Sequence, residues 1–276
     1  MDDVITRSKT ETEIEFLKLF IRLKIRMDPY LYALISTYIP EHFKILTKLA
    51  GGLLIKEIKD GNTYANGVLH SFNDEPAMIY SNGRQEWYKN GKLHRDSDLP
   101  AIMTIDGHRR WYQNGKLHRD NDLPAECAVN GHQGWYQHGK LHRDNDLPAE
   151  YNVNGFQSWW RNGEKHRDND LPAVVCSTGI KEWWQNGKKH RDNDLPAVIW
   201  SEDCKEWWQN GELHRDNDLP ALIWGNGDKE WYQHHKLHRD SDLPAIIRFD
   251  GRQSWYQNGL CYDHVRKQKQ KQKLNF

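Results

Sequence analysis

The chain has 276 residues and balanced charge, with 39 Lys plus Arg against 39 Asp plus Glu. This balance excludes a bulk electrostatic attraction of the whole chain to nucleic acid or to anionic membranes. Only 37% of the residues are hydrophobic, yet the chain carries 13 Trp and 12 Tyr. Such a composition favours a thin layer stabilised by large rings over one thick apolar core.

Residues 1–52 predict a small helical cap. Thr10 and Glu13 form a capping box ahead of an apolar helical pattern. A second helix can start at Pro29, and a third at Pro40. The third helix is predicted to bury Phe43, Leu46 and Leu49. These helices would cover the first open edge of a sheet that follows them.

Residues 53–262 contain a repeat of 24 residues. One histidine recurs at this interval, at His94, His118, His142, His166, His190, His214 and His238, and His70 opens a degenerate first copy. A tryptophan keeps the same interval, at Trp87, Trp111, Trp135, Trp159, Trp183, Trp207, Trp231 and Trp255. Two periodic residues in phase over eight copies predict an array of equivalent structural units.

Each repeat contains two turn signals, for example Asn82-Gly83 and, eight residues later, Asn90-Gly91. Asn-Gly between apolar or aromatic stretches predicts a hairpin with a type I′ turn, in which both central residues have positive φ. Glu202-Asp203 lacks glycine and predicts a looser first turn. His234-His235 replaces the second turn and is predicted to break it.

The predicted fold is mainly β: an elongated single-layer antiparallel sheet of tandem 24-residue β-hairpin repeats over residues 53–262. The small N-terminal helical cap would precede it, and residues 263–276 would form a basic disordered tail. The proline of the Leu-His-Arg-Asp-x-Asp-Leu-Pro return excludes a central strand at that point.

Adjacent aromatic residues, as in Trp183-Trp184, should point to opposite faces of a strand. One row would then be core. The other row has two interpretations: it covers exposed backbone, or it is an uncovered face that binds a partner and could form a homodimer.

The periodic histidines are predicted to be structural hydrogen-bonding residues. Equivalent positions in neighbouring repeats should lie roughly 10 Å apart, too far to share one metal ion. The Asp-x-Asp pairs, such as Asp120 and Asp122, weakly resemble a calcium loop, but they lack the closing Glu. Pairing of Arg95, Arg119 or Arg143 with an aspartate of the same or a neighbouring repeat is the expectation. We therefore expect neither a metal nor a cofactor.

No nucleophile, base and orienting group stand out from the periodic pattern, so the chain is not expected to be an enzyme. The four cysteines form no CxxC pair and indicate reduced thiols. No signal peptide and no apolar stretch of about 18 residues is found. These features predict an intracellular protein that is neither secreted nor transmembrane.

The tail carries five basic residues, Arg266, Lys267, Lys269, Lys271 and Lys273. It could contact nucleic acid, act as an import signal, or serve as a solubilising end. Neither nucleic acid nor a membrane is expected as a partner of the array itself.

The unit Trp111-Tyr112-Gln113-Asn114-Gly115 within a tandem hairpin repeat resembles the MORN repeat. The added His-Arg-Asp-x-Asp-Leu-Pro-Ala segment is similar to a variant from giant DNA viruses of amoebae, particularly marseillevirus-like ones. The resemblance covers residues 60–262. It implies scaffolding and protein contacts, in a host cytoplasm or a virion, and supplies no catalytic residues.

Two functions follow from these patterns. In the first, the Trp-rich array is a non-enzymatic scaffold that mediates protein–protein interaction. In the second, the N-terminal helices act as an F-box-like ubiquitin-ligase adaptor and the repeats present a client. The second interpretation depends on Pro29 through Leu49, including Tyr38, Pro40 and Phe43.

Overall fold

The computed structural model describes residues 43–49, 52–59 and 61–262. The chain divides into two compact parts, an N-terminal body up to residue 105 and a C-terminal body from residue 106. Within the described ranges both bodies consist of strands and turns, without a helix. The prediction of a mainly β, hairpin-repeat fold is confirmed. The first two predicted helices and the basic tail lie outside the described residues.

The N-terminal body has nine strands: β1 (Phe43–Leu49), β2 (Gly52–Lys59), β3 (Asn62–Ala65), β4 (Val68–Leu69), β5 (Met78–Ile79), β6 (Gln85–Glu86), β7 (Tyr88–Lys89), β8 (Lys92–Leu93) and β9 (Ile102–Met103). β1 to β4 form one antiparallel sheet in chain order. β6 pairs with both β5 and β9, and β7 pairs with β8.

The C-terminal body continues with β10 (Arg109–Arg110), β11 (Tyr112–Gln113), β12 (Lys116–Leu117), β13 (Glu126–Cys127), β14 (Gln133–Gly134), β15 (Tyr136–Gln137), β16 (Lys140–Leu141), β17 (Glu150–Tyr151), β18 (Gln157–Ser158), β19 (Trp160–Arg161), β20 (Glu164–Lys165), β21 (Val174–Val175) and β22 (Lys181–Glu182). It ends with β23 (Trp184–Gln185), β24 (Lys188–Lys189), β25 (Val198–Ile199), β26 (Lys205–Glu206), β27 (Trp208–Gln209), β28 (Glu212–Leu213), β29 (Leu222–Ile223), β30 (Lys229–Glu230), β31 (Tyr232–Gln233), β32 (Lys236–Leu237), β33 (Ile246–Ile247), β34 (Gln253–Gln257) and β35 (Leu260–Tyr262).

A continuous antiparallel sheet, here called the ladder, runs through the C-terminal body. Its strands are hydrogen-bonded in the order β10, β13, β14, β17, β18, β21, β22, β25, β26, β29, β30, β33 and β34. Each complete repeat contributes one ladder hairpin, such as β25–β26, and so advances the sheet by roughly 10 Å.

Each repeat also contains a second, small hairpin, such as β23–β24. The two turn signals of the sequence implied instead one aromatic strand between the turns, as part of a single hairpin. The extended segment stops at the core tryptophan, because Trp183 donates its backbone N–H to Ala197 and accepts from His190 through its carbonyl. The ladder strand therefore ends before the tryptophan, and a separate two-residue strand starts after it. Successive small hairpins are joined by a further backbone bond, as from Gly187 to Lys165.

The two predicted turns have different geometries. In the second turn both central residues have positive φ, as at Asn186 (48°) and Gly187 (75°), which is the type I′ geometry. In the first turn only the glycine does, as at Gly131 (79°). The type I′ prediction is therefore wrong for the first turn. There Asn130 accepts the N–H of His132 through its side chain, a role that needs no positive φ.

For two turns of unusual sequence, one prediction agrees with the structure and the other does not. The turn at Glu202-Asp203 lacks a positive φ, and its backbone bonds link Cys204 with Trp200 and Ser201. It is thus irregular, as predicted. The prediction that His234-His235 breaks its turn is wrong, since both residues adopt positive φ, 47° and 65°. The bond from the His235 N–H to Leu213 keeps the repeating geometry at this strained position.

The third predicted helix is also wrong where it can be compared, because Phe43–Leu49 is strand β1. It pairs with β2 in the register Ile45 to Ile55 and Leu46 to Leu54. A predicted helix of about ten residues is short for stability on its own, whereas pairing with β2 satisfies backbone groups along the edge that the two strands share.

Within each body, the core lies where the larger hairpin of a repeat meets its small hairpin. One alanine per repeat is completely buried: Ala77, Ala101, Ala125, Ala149, Ala173, Ala197, Ala221 and Ala245. Seven periodic tryptophans are also buried, at 4–8% exposure: Trp87, Trp111, Trp135, Trp159, Trp183, Trp207 and Trp231. The alanine side chain is small enough for the chain to pass close to the indole, which explains its presence in every repeat.

Candidate binding surface

Seven of the eight periodic tryptophans, Trp87 to Trp231, have a periodic arginine over one side of the ring. In Trp183 the ring centroid lies 3.8 Å from the guanidinium carbon of Arg191. The other arginine–tryptophan pairs have distances of 3.7–3.9 Å. This is a cation–π contact in a largely desolvated place, because Trp183 is only 6% exposed.

The second aspartate of each Asp-x-Asp segment joins one repeat to the next. Asp170 accepts two bonds from Arg191, at 2.8 and 2.9 Å, and its backbone carbonyl accepts the indole N–H of Trp183 at 3.0 Å. The Arg191 hydrogen bonds hold the pKa of the Asp170 carboxyl below its usual range. The predicted pairing of arginine with an aspartate of a neighbouring repeat is thus observed. Because both carboxylate oxygens accept hydrogen bonds from arginine, the carboxylate is not available as the ligand that a calcium loop would need.

The Asp-x-Asp segments are themselves turns. Asn193 and Asp194 have positive φ, 59° and 54°, and the N–H of Leu195 donates to the carbonyl of Asp192. Each repeat therefore has three tight turns where two were predicted. Asn and Asp are suited to such positions because they tolerate the left-handed region better than other non-glycine residues.

The periodic histidines connect neighbouring small hairpins. The Nδ1 atom of His166 accepts the backbone N–H of Asn186 in the next repeat at 3.1 Å, and its Nε2 donates to Asp168 at 2.8 Å. Equivalent bonds to the next repeat are made by His70, His118, His142, His190, His214 and His238. Since Nδ1 accepts, the neutral ring must carry its proton on Nε2.

One face of the ladder carries carboxylates that aromatic side chains bind. Glu182 accepts the indole N–H of Trp184, and Glu206 accepts those of Trp200 and Trp208, all at 2.7 Å. Burial and the neighbouring carboxylates raise the pKa of the Tyr136 hydroxyl to about 12, so this ring is a hydrogen-bond donor at neutral pH. The second aromatic of each pair is therefore half-buried and polar in its contacts, a feature missed by the sequence analysis.

Apart from Leu260 in the last small hairpin, which is 75% exposed, the most exposed apolar side chains of the C-terminal body lie at the ladder-hairpin turns. Val129, Val153 and Phe249 are 64–71% exposed, and they occupy equivalent positions in three repeats. Trp200 and Trp224, one position earlier, are 42% and 44% exposed. The apolar residues of the constant part, such as Leu171 and Leu195, are less exposed, at 38–39%. The turns thus form the richest apolar surface in this body.

Among the described residues, no group of three or more His, Cys, Asp or Glu side chains has the arrangement of a metal site. The same residues include no helix long and apolar enough to cross a membrane. All four cysteines have free thiols, and burial raises the pKa of the Cys127, Cys176 and Cys204 thiols.

Comparison with known proteins gave no match to a protein-family model, a curated protein or a solved structure.

Proposed function

We propose that this protein is a non-enzymatic repeat scaffold that binds a protein partner through its ladder hairpins. The MORN-like resemblance of the sequence agrees with such a role, and a virion or an infected host cell would be a suitable setting. The proposal rests on one observation. Within each repeat, the constant residues bind one another, whereas the variable residues face solvent.

The side chains of the constant residues make their contacts within the array. Arg191 contacts Trp183, Asp170 and the carbonyl of Pro196, while His190 binds Asp192 and the next repeat. These contacts recur every 24 residues in the C-terminal body. Such residues have a sufficient structural reason to be periodic, and their side chains have few remaining groups to offer a ligand.

The variable residues are concentrated between the buried alanine and the next core tryptophan. The position before the turn residues, for example, holds Val129, Val153, Ser177, Ser201, Gly225 and Phe249 in successive repeats. The preceding position holds Ala128, Asn152, Cys176, Trp200, Trp224 and Arg248. A rigid framework that displays a varied strip is the arrangement by which repeat proteins bind other proteins over an extended surface.

Site-specific photo-crosslinking of the full-length protein in its native cells tests this proposal. A benzophenone side chain would replace Val153 or Phe249 at the ladder turns, and Leu171 as the matched control on the constant part. We expect a discrete crosslinked protein from the turn positions and none from Leu171. Equal crosslinking from all three, or none from either turn, would contradict the proposed surface.

A homodimer would be one form of such a partner. Analytical ultracentrifugation of the intact protein separates this case from a foreign partner. A mass that rises from monomer to dimer with concentration, together with crosslinks between two copies, would identify self-association. A constant monomer mass would leave only a foreign protein.

The F-box-like adaptor has weaker support, because its segment 29–49 includes strand β1 where the third helix was expected. Binding of the full-length protein to the linker subunit of F-box ubiquitin ligases provides the test. We expect no binding, whereas a complex that is lost on deletion of residues 1–42 would favour the adaptor.

A further inference from the structure

The carboxylates of the ladder in the C-terminal body form one row on one face. Glu126 and Glu150 come from first strands of ladder hairpins, and Glu182, Glu206 and Glu230 come from second strands. Direct cross-strand pairing through the intervening residues places all five on the same face. The row therefore runs along the ladder, with the aromatic residues beside it.

Four members of this row have a basic side chain of the chain beside them. The Nε of Arg110 lies 2.8 Å from Glu126, and the Nζ of Lys189 lies 3.6 Å from Glu182. A nitrogen of Arg248 lies 3.2 Å from Glu230. His132 lies 3.7 Å from Glu150. A carboxylate on this half-buried face is thus normally accompanied by a basic group, as desolvation requires.

Glu206 is different. Within the described part of the chain it forms no ion pair, and its two oxygens accept only the indole N–H groups of Trp200 and Trp208, each at 2.7 Å. An ionised carboxylate offers about four lone-pair positions, so two indoles leave about half of its acceptor capacity unused. The Nζ of Lys189 lies over the Trp208 ring, 5.1 Å from its centroid, but its ion pair is with Glu182 at 3.6 Å.

Two substitutions relative to the neighbouring repeats explain this difference. Leu213 stands at the position where Lys189 neutralises Glu182, and Trp224 stands at the position where Arg248 neutralises Glu230. Leu213 is 7% exposed, and its backbone N–H donates to Nδ1 of His235 at 3.2 Å. Both internal sources of positive charge are therefore missing in this one repeat, while the carboxylate has been kept.

The surroundings of Glu206 suit a cation. Trp200 and Trp224 are 42% and 44% exposed and belong to successive repeats, which places equivalent positions roughly 10 Å apart. The indole N–H of Trp200 donates to Glu206, and that of Trp224 donates to Glu230 at 3.2 Å, so the exposed ring faces remain available to a cation. The fold already holds ammonium groups against indoles on this face. The Nζ of Lys165 lies 5.4 Å from the Trp160 ring and 4.9 Å from the Trp184 ring.

We propose that Glu206, together with Trp200, Trp208 and Trp224, binds the ammonium group of a lysine side chain of the partner protein. The group would replace the cation that the chain supplies in neighbouring repeats, and the exposed indoles would add cation–π attraction. This inference rests on the proposed scaffold function, for which it names the chemistry of one contact.

Titration of the full-length protein with Nα-acetyl-lysine amide, followed through the indole N–H signals of Trp200 and Trp208 by NMR, tests the site. Nα-acetyl-norleucine amide is the uncharged probe of similar shape. We expect saturable shifts with the lysine probe and none with the norleucine probe. Equal shifts with both probes, or no shift with either, would overturn the proposal.

Three variants sharpen the test. Glu206→Gln should weaken binding of the lysine probe on the order of tenfold, since it removes the charge. Glu202→Gln removes the same charge from the exposed turn nearby and should leave binding unchanged. Trp224→Arg at an exposed position restores an internal cation, as Arg248 does for Glu230, and should block the probe. Unchanged binding of the lysine probe in both Glu206→Gln and Trp224→Arg would overturn the proposal. If one variant fails to fold, unchanged binding in the other is sufficient.

Failure of this site and failure of the scaffold function give different results. If crosslinking from Val153 persists but Glu206→Gln alters neither probe binding nor partner capture, the scaffold stands and the ammonium site is wrong. If the lysine probe binds but no partner crosslinks, the site stands and the scaffold function is wrong.

Discussion

Arg191 covers the indole of Trp183 at 3.8 Å and at the same time donates two hydrogen bonds to Asp170 of the preceding repeat. The tryptophan donates its own indole N–H to the carbonyl of that same aspartate. One aspartate therefore fixes both the ring and the cation above it. This three-residue contact is the strongest candidate for the element that holds neighbouring repeats in register.

Replacement of Arg191 by lysine should therefore lower the free energy of unfolding. Lysine keeps the charge but cannot form two parallel bonds to the carboxylate, and it stacks less well on an indole. We expect a loss of about 1–2 kcal/mol, measured by guanidinium denaturation followed through tryptophan fluorescence. Arg161→Lys is the matched control, because Arg161 binds Asp168 with both side chains largely exposed, at 46% and 65%. Its loss should stay below about 0.5 kcal/mol, and similar losses in both variants would contradict the assigned role.

Two glycine substitutions should distinguish the cost of a left-handed backbone conformation from the cost of steric overlap at the new Cβ. Gly187 has φ of +75°, and a Cβ there would meet only ordinary contacts at 3.7 Å, from Glu164. Gly187→Ala should destabilise the protein by about 1 kcal/mol, because alanine resists the left-handed region. Gly225 lies outside this region and has nothing near a Cβ. Gly225→Ala should be neutral or stabilising by about 0.4–1 kcal/mol. Thermal unfolding of both variants measures this difference, and an equal sign for both would refute the explanation.

The period and the positions of two turns were predictable because both depend on short-range chemistry. Asn-Gly pairs recur at fixed distances, and two side chains keep a spacing of 24 residues. The conformation of the first turn was not predictable in the same way. Asn130-Gly131 is compatible with a type I′ turn and also with a turn in which only the glycine has positive φ.

The break in the aromatic strand could not be derived from alternation of residues. It depends on two backbone bonds, from the Trp183 N–H to Ala197 and from the His190 N–H to the Trp183 carbonyl. The carboxylate row does have a signal in the sequence, in the positions of the glutamates. Glutamate stands either just after the buried alanine, as at Glu150, or just before the core tryptophan, as at Glu182. Such an exchange between two positions indicates that they face each other across paired strands, as the structure has them.

Acid should weaken the N-terminal body through His70. Burial lowers the pKa of this histidine, and its Nδ1 accepts the N–H of Asn90 at 3.2 Å. The folded protein then binds a proton at His70 less readily than the unfolded chain. The stability contributed is thus complete above a pH of about 6.5 and is lost as the pH falls through the folded-state pKa.

Amide hydrogen exchange between pH 7.5 and 5 provides the measurement, after correction for the intrinsic rate. The Asn90 amide should lose protection as the pH falls, because a protonated Nδ1 cannot accept its hydrogen bond. The neighbouring Gly91 amide, which donates to the Leu69 carbonyl at 2.8 Å, is the internal control. Its acceptor does not titrate, so its protection should fall less. Identical behaviour of the two amides would assign the effect to general acid destabilisation.

Deletion of one complete repeat should leave a folded protein. Removal of residues 172–195 joins Leu171 to Pro196 and places Asp170 where Trp207 and Arg215 normally meet Asp194. All contacts between repeats can then re-form, and the denaturant dependence of unfolding should fall in proportion to the surface removed. A deletion one residue shorter, 172–194, shifts the pairing by one position and exchanges the two faces of the following strand. Circular dichroism and guanidinium denaturation should show cooperative unfolding for the first deletion and its loss or marked weakening for the second. Equal stability of the two deletions would mean that the 24-residue register does not determine packing.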